Sequence, residues 1–184
     1  MGRKPTTSAE DWLRAGFRAL VDTGPEALKA EPLARRVGAT KGSFYWHFQD
    51  VPAFRAALLE HWEQRAYRDI VDFVEREPEP VKRLRLLGQI AASGAEDAYG
   101  GIAVEPAIRA WGRADKTVAA CLARVDRQRL DYLQTLLQQL DLGNPDFARL
   151  IYAGLIGLED LSSRDGAALQ QPMETMIDLI LALR

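Results

Sequence analysis

A chain of 184 residues with 47% hydrophobic side chains can bury a sizeable core, which excludes an intrinsically disordered protein and fits one domain or a small domain joined to a larger one. The formal charge of -2 argues against a uniformly basic nucleic-acid binder, yet the charge is uneven: residues 1–55 hold 9 Lys/Arg and 6 Asp/Glu, and the remainder hold 15 and 20, so a head of +3 precedes a body of -5. The single cysteine, Cys121, excludes an internal disulfide, no apolar run reaches the ~18 residues of a membrane span, and MGRKPTTSAED has no signal-peptide core; the expectation is a cytosolic protein with no membrane partner.

Helical periodicity recurs along the chain and strand alternation does not, so the predicted fold is all-α with nine or ten helices. Thr7 and Glu10, three apart, predict a capping box. Trp12, Leu13, Gly16, Phe17, Leu20 and Val21 then share one face, and Gly24-Pro25 ends the helix. A second helix has Pro32 in its first turn, Leu33, Ala34 and Val37 inward, and Gly38 as its stop. Thr40 caps a short third helix in which Phe44 and Phe48, four apart, face one side.

Asp50 caps a fourth helix with Pro52 tolerated in its first turn. Its stripe of Phe54, Leu58, Trp62, Ala66, Ile70 and Phe73 predicts one rod of about 26 residues and ~40 Å, running to Pro78. Val81, Leu84, Leu87 and Ala91 mark the next helix. Gly100-Gly101 breaks the chain, and Pro106 precedes a short segment holding Ile108 and Trp111. Asp115 caps a long helix with Val118, Leu122, Val125, Tyr132, Leu136 and Leu140 on one face. After Gly143-Asn144-Pro145, Phe147, Leu150, Ile151, Gly154, Leu155 and Leu158 mark another. A loop is expected at 162–166, then a last helix with Met173, Met176, Ile177, Ile180 and Leu181. No repeat of fixed period and no low-complexity tract interrupts this order.

The second and third helices flank the turn Gly38-Ala39-Thr40, which is helix-turn-helix spacing. The second helix of such a pair presents its first residues to base edges in the major groove, where they must be small, or polar and extended. Lys41, Gly42 and Ser43 meet that need: Lys donates to guanine, and Ser pairs with several bases. With Phe44 and Phe48 inward, Tyr45, Trp46 and His47 are outward rings with polar handles that can donate to phosphate oxygens.

On the residues Ala15-Gly16-Phe17 and Leu33-Ala34-Arg35-Arg36-Val37-Gly38-Ala39-Thr40-Lys41-Gly42-Ser43-Phe44-Tyr45-Trp46-His47-Phe48, the first 60 or so positions resemble the DNA-binding domain of TetR/AcrR-family transcriptional regulators. The resemblance implies an N-terminal three-helix helix-turn-helix DNA-binding domain, 1–50, and a C-terminal helical ligand-binding and dimerisation domain, 51–184. It implies a homodimer on a double-stranded DNA operator, released when a small-molecule effector binds. The site residues it carries over are Thr40, Lys41, Gly42, Ser43, Tyr45, Trp46 and His47, with Arg35 and Arg36 as added phosphate contacts. Two positions depart from the family pattern. Val51-Pro52 follows Asp50 where many members have Lys or Arg, and Ala30-Glu31 stands where many have Thr or Ser before the second helix. Arg35, Arg36 and the arm Arg3-Lys4 are the expected compensation. The alternative is a degenerate member that binds a small molecule or protein without strong DNA binding.

In the body, Trp62, Tyr67, Tyr99 and Trp111, with Phe73 beside them, are expected either to wall a ligand pocket or to be plain core. The family implies that paired C-terminal helices form a four-helix dimer bundle. Leu136, Leu140, Ile151, Gly154, Leu155 and Leu158 are the expected interface residues. Gly154 and Gly157 serve either close approach by the partner or packing within the subunit, and the last helix is a second candidate for the interface. Two histidines and one cysteine have no metal-ligand spacing, and no nucleophile elbow, phosphate loop or CxxC occurs. Glu10-Asp11, Glu96-Asp97 and Glu159-Asp160 read as caps and solvated faces. The expectation is a non-enzymatic protein with no cofactor and no metal.

Overall fold

The computed structural model describes residues 7–94 and 97–184, and the regular structure among them is entirely helical. The α-helices are α1 (Ala9–Thr23), α2 (Ala30–Val37), α3 (Lys41–His47), α4 (Val51–Glu63), α5 (Asp69–Val74), α6 (Pro80–Ser93), α7 (Val104–Gly112), α8 (Lys116–Gln138), α9 (Pro145–Asp165) and α10 (Gln170–Leu181). Short 3-10 turns stand at Pro25–Ala27, Asp97–Tyr99 and Gly101–Ala103. Two compact units result: residues 1–62 with 95–119, and residues 63–94 with 120–184. This grouping by compactness differs from the division at residue 50 that the resemblance implies.

Local chemistry explains most of the boundaries. Thr40 caps α3 by accepting the Ser43 N–H at 3.2 Å, Asp50 caps α4 through Ala53 N–H at 2.7 Å, and Asp115 caps α8 through Thr117 N–H at 2.8 Å. Gly38 ends α2 at φ 65°, a left-handed position that a side chain adopts at a cost. Three boundaries differ from the sequence reading. The capping box before α1 is Ser8 with Asp11, one residue later than Thr7 with Glu10. α2 begins at Ala30, so Ala30-Glu31 forms its first turn, and the cap position, Lys29, makes no side-chain cap. α9 continues through the expected loop to Asp165 and stops at the left-handed Gly166, because Ser162 turns inward and donates to Ala167 O at 2.6 Å.

The rod expected from Asp50 to Pro78 ends at Val74 and contains a π-turn at Gln64–Arg68. A π-turn inserts an extra residue and rotates the phase of everything beyond it. Phe54, Leu58 and Trp62 are therefore buried as predicted, whereas beyond the turn Val74 is buried and Phe73 is 49% exposed. Gln64 Nε2 bonds Asp69 Oδ1 at 2.6 Å across the turn, and Arg129 Nε donates to Ala66 O at 3.1 Å.

In the second unit α8, α9, α10 and α6 share a core of Leu84, Leu133, Leu136, Leu137, Leu140, Ile151, Leu155, Met173 and Ile177. Tyr132, placed on the apolar face by periodicity, is only half-buried, and its hydroxyl donates to Glu75 at 2.6 Å. Burial and that carboxylate together push its phenol well above the ordinary range. Cys121 is buried. Desolvation, with Glu63 3.6 Å away, raises its thiol to about 11 and leaves it inert at neutral pH. Glu63 is held below the usual carboxylate range, first by its hydrogen bond from Arg124 at 2.7 Å.

Gly88 on α6 had no role in the sequence pattern, yet it is buried against α10, where an added Cβ would lie 2.1 Å from Ile177 Cδ1. Gly88→Ala is expected to destabilise the protein by about 1–3 kcal/mol through overpacking, and Ile177→Val, which removes that methyl, to recover part of the loss in the double variant. Chemical denaturation of the four proteins of this cycle is the measurement, and additive losses would refute the close approach.

Candidate nucleic-acid interface

The head is built on one ring. Phe44 of α3 is fully buried, edge-on to Trp12 of α1 at 5.4 Å and tilted against Phe48 and Phe54, each at 5.4 Å. Phe48 in turn meets Phe54 of α4 edge-on at 5.0 Å. A helix of seven residues is too short to be stable alone, so this cluster sets the angle at which α3 lies on the head. With 100° between successive residues, Trp46 turns away from the cluster, while Tyr45 lies at its outer edge with its ring edge-on to Phe44 at 5.3 Å. Tyr45 and Trp46 are 46% and 61% exposed, large for such rings.

Lys41 and Gly42 are exposed at the N-terminal end of α3, and Lys41 has no ion-pair partner among the described residues. A Cβ on Gly42 would touch only Thr40 Oγ1, at 3.7 Å. Nothing within the fold requires glycine there, while an outside surface can approach the bare backbone closely. Ser43 and His47 are arranged differently from the free outward donors expected. Thr7, just ahead of α1, bonds Ser43 Oγ through its own Oγ1 at 3.0 Å, and its carbonyl accepts from His47 Nε2 at 2.7 Å. The imidazole proton assigned to a phosphate is thus engaged inside the head, and His47 steadies the start of α1 against α3. The sequence offers no period that relates residue 7 to residues 43 and 47, so Thr7 was missed.

Arg35 is paired with Glu31 at 3.0 Å and Arg36 with Asp22 at 2.7 Å, all on the surface. Such exposed pairs are worth only ~0–1 kcal/mol, so a phosphate can exchange for either carboxylate. Asp11 is held below the usual carboxylate range, first by the backbone N–H of Ser8. Arg55 of α4 is a second unpredicted tie: its guanidinium donates to Pro25 O at 3.1 Å and lies over Trp111 at 5.8 Å. The arm Arg3-Lys4 and Glu96 lie outside the described residues.

The expected ligand rings are mostly buried. Tyr99 stacks on His61 at 5.1 Å and meets Phe17 edge-on at 5.9 Å; Trp111 is buried beneath Arg55, and Trp62 is buried too. These three rings are thus buried and packed against neighbouring side chains. Tyr67 is half-buried in the π-turn of the other unit. The expected interface needs a correction. Leu136, Leu140, Ile151 and Leu155 are inside the subunit core, and Leu158 is half-buried. A Cβ on Gly154 would lie 2.6 Å from Met176 Sδ, so that glycine serves packing of α10 on α9. Leu150 and Leu161, 58% and 55% exposed, stand on the open face of α9, with the exposed Ala153 and Gly157 between them. A Cβ on Gly157 would meet nothing.

A three-helix head with a buried-ring anchor and an exposed short helix after a glycine turn is a helix-turn-helix of the DNA-reading kind. Residues 13–50 match the family described as bacterial regulatory proteins, tetR family. That match covers the head, and it makes residues 13–50 a helix-turn-helix similar to those of bacterial transcription regulators. The chain is 32% identical over 97 residues to an uncharacterised HTH-type transcriptional regulator, YwcC, of Bacillus subtilis (strain 168); the match spans 52% of this chain and 43% of that protein, under half its length. The whole fold is similar to SCO4454, a TetR-family transcriptional regulator from Streptomyces coelicolor (TM-score 0.78, 15% identity, covering 99% of this chain and 96% of that one). It is similar also to SmeT, the repressor of the Stenotrophomonas maltophilia multidrug efflux pump SmeDEF (TM-score 0.69, 20% identity, 98% and 92%). At these identities the two structures speak for the fold: an N-terminal helix-turn-helix followed by a helical domain. No described helix is long and apolar enough to cross a membrane.

The Thr40 cap satisfies a backbone N–H in the first turn of α3. Thr40→Ala is expected to cost about 1 kcal/mol of stability and Thr40→Ser much less. Thermal unfolding of the two variants tests this, and equal melting of Ala and Ser variants would remove the cap from the account.

Proposed function

We propose that this chain is a ligand-responsive DNA-binding transcriptional regulator, a repressor that leaves a palindromic operator when a small molecule binds. The observation that carries the reading is α3 itself, where Phe44 is sealed in the head while Lys41, Tyr45 and Trp46 face outward. Residues 1–50 serve as the reading head, and residues 51–184 hold the effector and the dimer contact. Lys41 reads base edges, and Ser43 does so on exchanging its Thr7 partner for a base. Tyr45 and Trp46 hold the sugar-phosphate backbone from beside the groove, and Arg35 and Arg36 exchange their carboxylate partners for phosphates. An effector acts by binding one of two arrangements of the protein more tightly than the other.

One short helix reads few bases, so two heads about 34 Å apart are needed for a palindromic site. The stripe Leu150, Ala153, Gly157 and Leu161 on α9 supports the second copy as its partner, and Leu179 and Leu183 are exposed as well. The pairs Arg35–Glu31 and Arg36–Asp22 favour one rival reading, a family member with weakened DNA binding. Its signature is a shallow salt dependence, since each phosphate contact contributes about 0.9 to the log-log slope.

Lys41→Ala is expected to lower affinity and relax preference at one base position, and Tyr45→Phe to weaken all duplexes about equally; binding selections on randomised duplexes read both, and unchanged binding in both variants would refute the assignment. Leu150→Asp with Leu161→Asp should yield a folded monomer with much weaker operator binding. Sedimentation at several protein concentrations decides it, and a persistent dimer would place the interface elsewhere.

A further inference from the structure

The head carries a cleft of about 580 Å³ that shares only Arg36 with the residues assigned to DNA. Arg14 and Arg18, one turn apart on the exposed side of α1, and Arg36, at the end of α2, line it. Their counter-charges are few. Glu10 reaches Arg14 only at 3.7 Å, and Asp22 holds Arg36 at 2.7 Å. Arg18 has no hydrogen bond or ion pair among the described residues. The one carboxylate on the lining, Asp11, is taken up by Ser8, whose N–H and hydroxyl donate to it at 2.9 and 2.7 Å. Asp22 lies one turn beyond Arg18 and holds Arg36, so those two guanidiniums share the C-terminal half of α1, away from Asp11.

Guanidinium forks match a tetrahedral oxyanion better than a single carboxylate does. The cleft is a groove open to solvent and larger than a bare phosphate. Ala15 and Val37, on its walls, offer small apolar contact for the rest of a ligand. Thr7 stands on the same lining and is the residue that holds Ser43 and His47 of α3. A ligand that moves Thr7 acts directly on the helix assigned to the groove.

We propose that this cleft binds a phosphate-bearing small molecule, seated on Arg18 and Arg36 with Arg14 beside them, and that its occupancy changes DNA affinity through Thr7. The coupling rests on the reading of α3 as the DNA-binding helix; the site does not.

The probe is inorganic pyrophosphate, titrated by calorimetry into the full chain. Wild type should bind it saturably, R18Q about tenfold more weakly, and R14Q/R18Q not at all, since each loses a charge-assisted hydrogen bond. Both arginines are exposed on α1, and circular dichroism verifies that the variants fold. Anisotropy of a labelled duplex then follows DNA binding with pyrophosphate or with sodium chloride of equal ionic strength. Pyrophosphate should change the affinity of wild type, leave R14Q/R18Q unchanged, and have a smaller effect on T7V. Absent or substitution-insensitive pyrophosphate binding overturns the site. If R14Q/R18Q instead lowers the salt slope of DNA binding without altering pyrophosphate binding, the arginines are DNA-backbone contacts and the proposal falls. Wild type that binds pyrophosphate with no change in DNA affinity overturns the coupling. Failure of wild type to bind duplex DNA at low salt would instead refute the proposed function, while the calorimetry still decides the cleft.

Discussion

The burial of Phe44 is the constraint on which the head depends. α3 has seven residues and cannot persist alone, so its direction is whatever its packing imposes. The ring is enclosed by Trp12, Phe48 and Phe54, which come from α1, the end of α3, and α4. Once that ring is fixed, helix geometry turns Trp46 outward, leaves Tyr45 half exposed against the edge of Phe44, and opens the first turn of α3 to a partner. The cap at Thr40, the left-handed Gly38 and the ties from Thr7 hold the same short helix from its other sides. A reading surface of small and polar residues therefore stands on a rigid aromatic base, as a surface that must match a groove requires.

The second unit is held by a different combination of forces. Its core is aliphatic, but its helices are also tied by polar groups at the margins. The hydroxyl of Tyr152 donates to Asp126 at 2.7 Å and accepts from Arg129 at 3.1 Å, and Arg129 also reaches the π-turn carbonyl of Ala66. Tyr132 and Arg83 both meet Glu75, from α8 and α6. The part-buried bonds of Tyr152 and Arg129 are worth more than the more exposed ones to Glu75, which solvent screens. The contact of α6 with α10 at Gly88 and of α9 with α10 at Gly154 depends instead on the absence of a side chain. Apolar area, polar ties and missing Cβ atoms together leave one open stripe on α9.

Charge on the head follows from this geometry as well. Its cations do not form one uniform patch. Lys41 stands on the reading helix, Arg35 and Arg36 are paired on α2, and Arg14 and Arg18 line a cleft on α1. Exposed ion pairs are weak and exchangeable, so the paired arginines remain available to phosphate oxygens. An overall charge of -2 is therefore compatible with a basic working face, because the acidic excess resides beyond residue 55.

The amino-acid sequence by itself determined the helical class, the helix-turn-helix with its glycine turn, and the inward and outward division of the rings at 44–48. Those features are local: they follow from the 3.6-residue period, from capping side chains, and from a glycine that must take φ 65°. The tertiary structure alone decided which apolar faces meet each other. It buried Leu136, Leu140, Ile151 and Leu155, exposed Leu150 and Leu161, packed Tyr99 on His61 and Trp111 beneath Arg55, and brought Thr7 against Ser43 and His47. Periodicity assigns a residue to a face but not that face to a neighbour, and the π-turn at Gln64–Arg68 shifts the phase without a signature in composition. Contacts between residues 36 and 40 positions apart depend on how helices pack, and packing is a property of the whole chain.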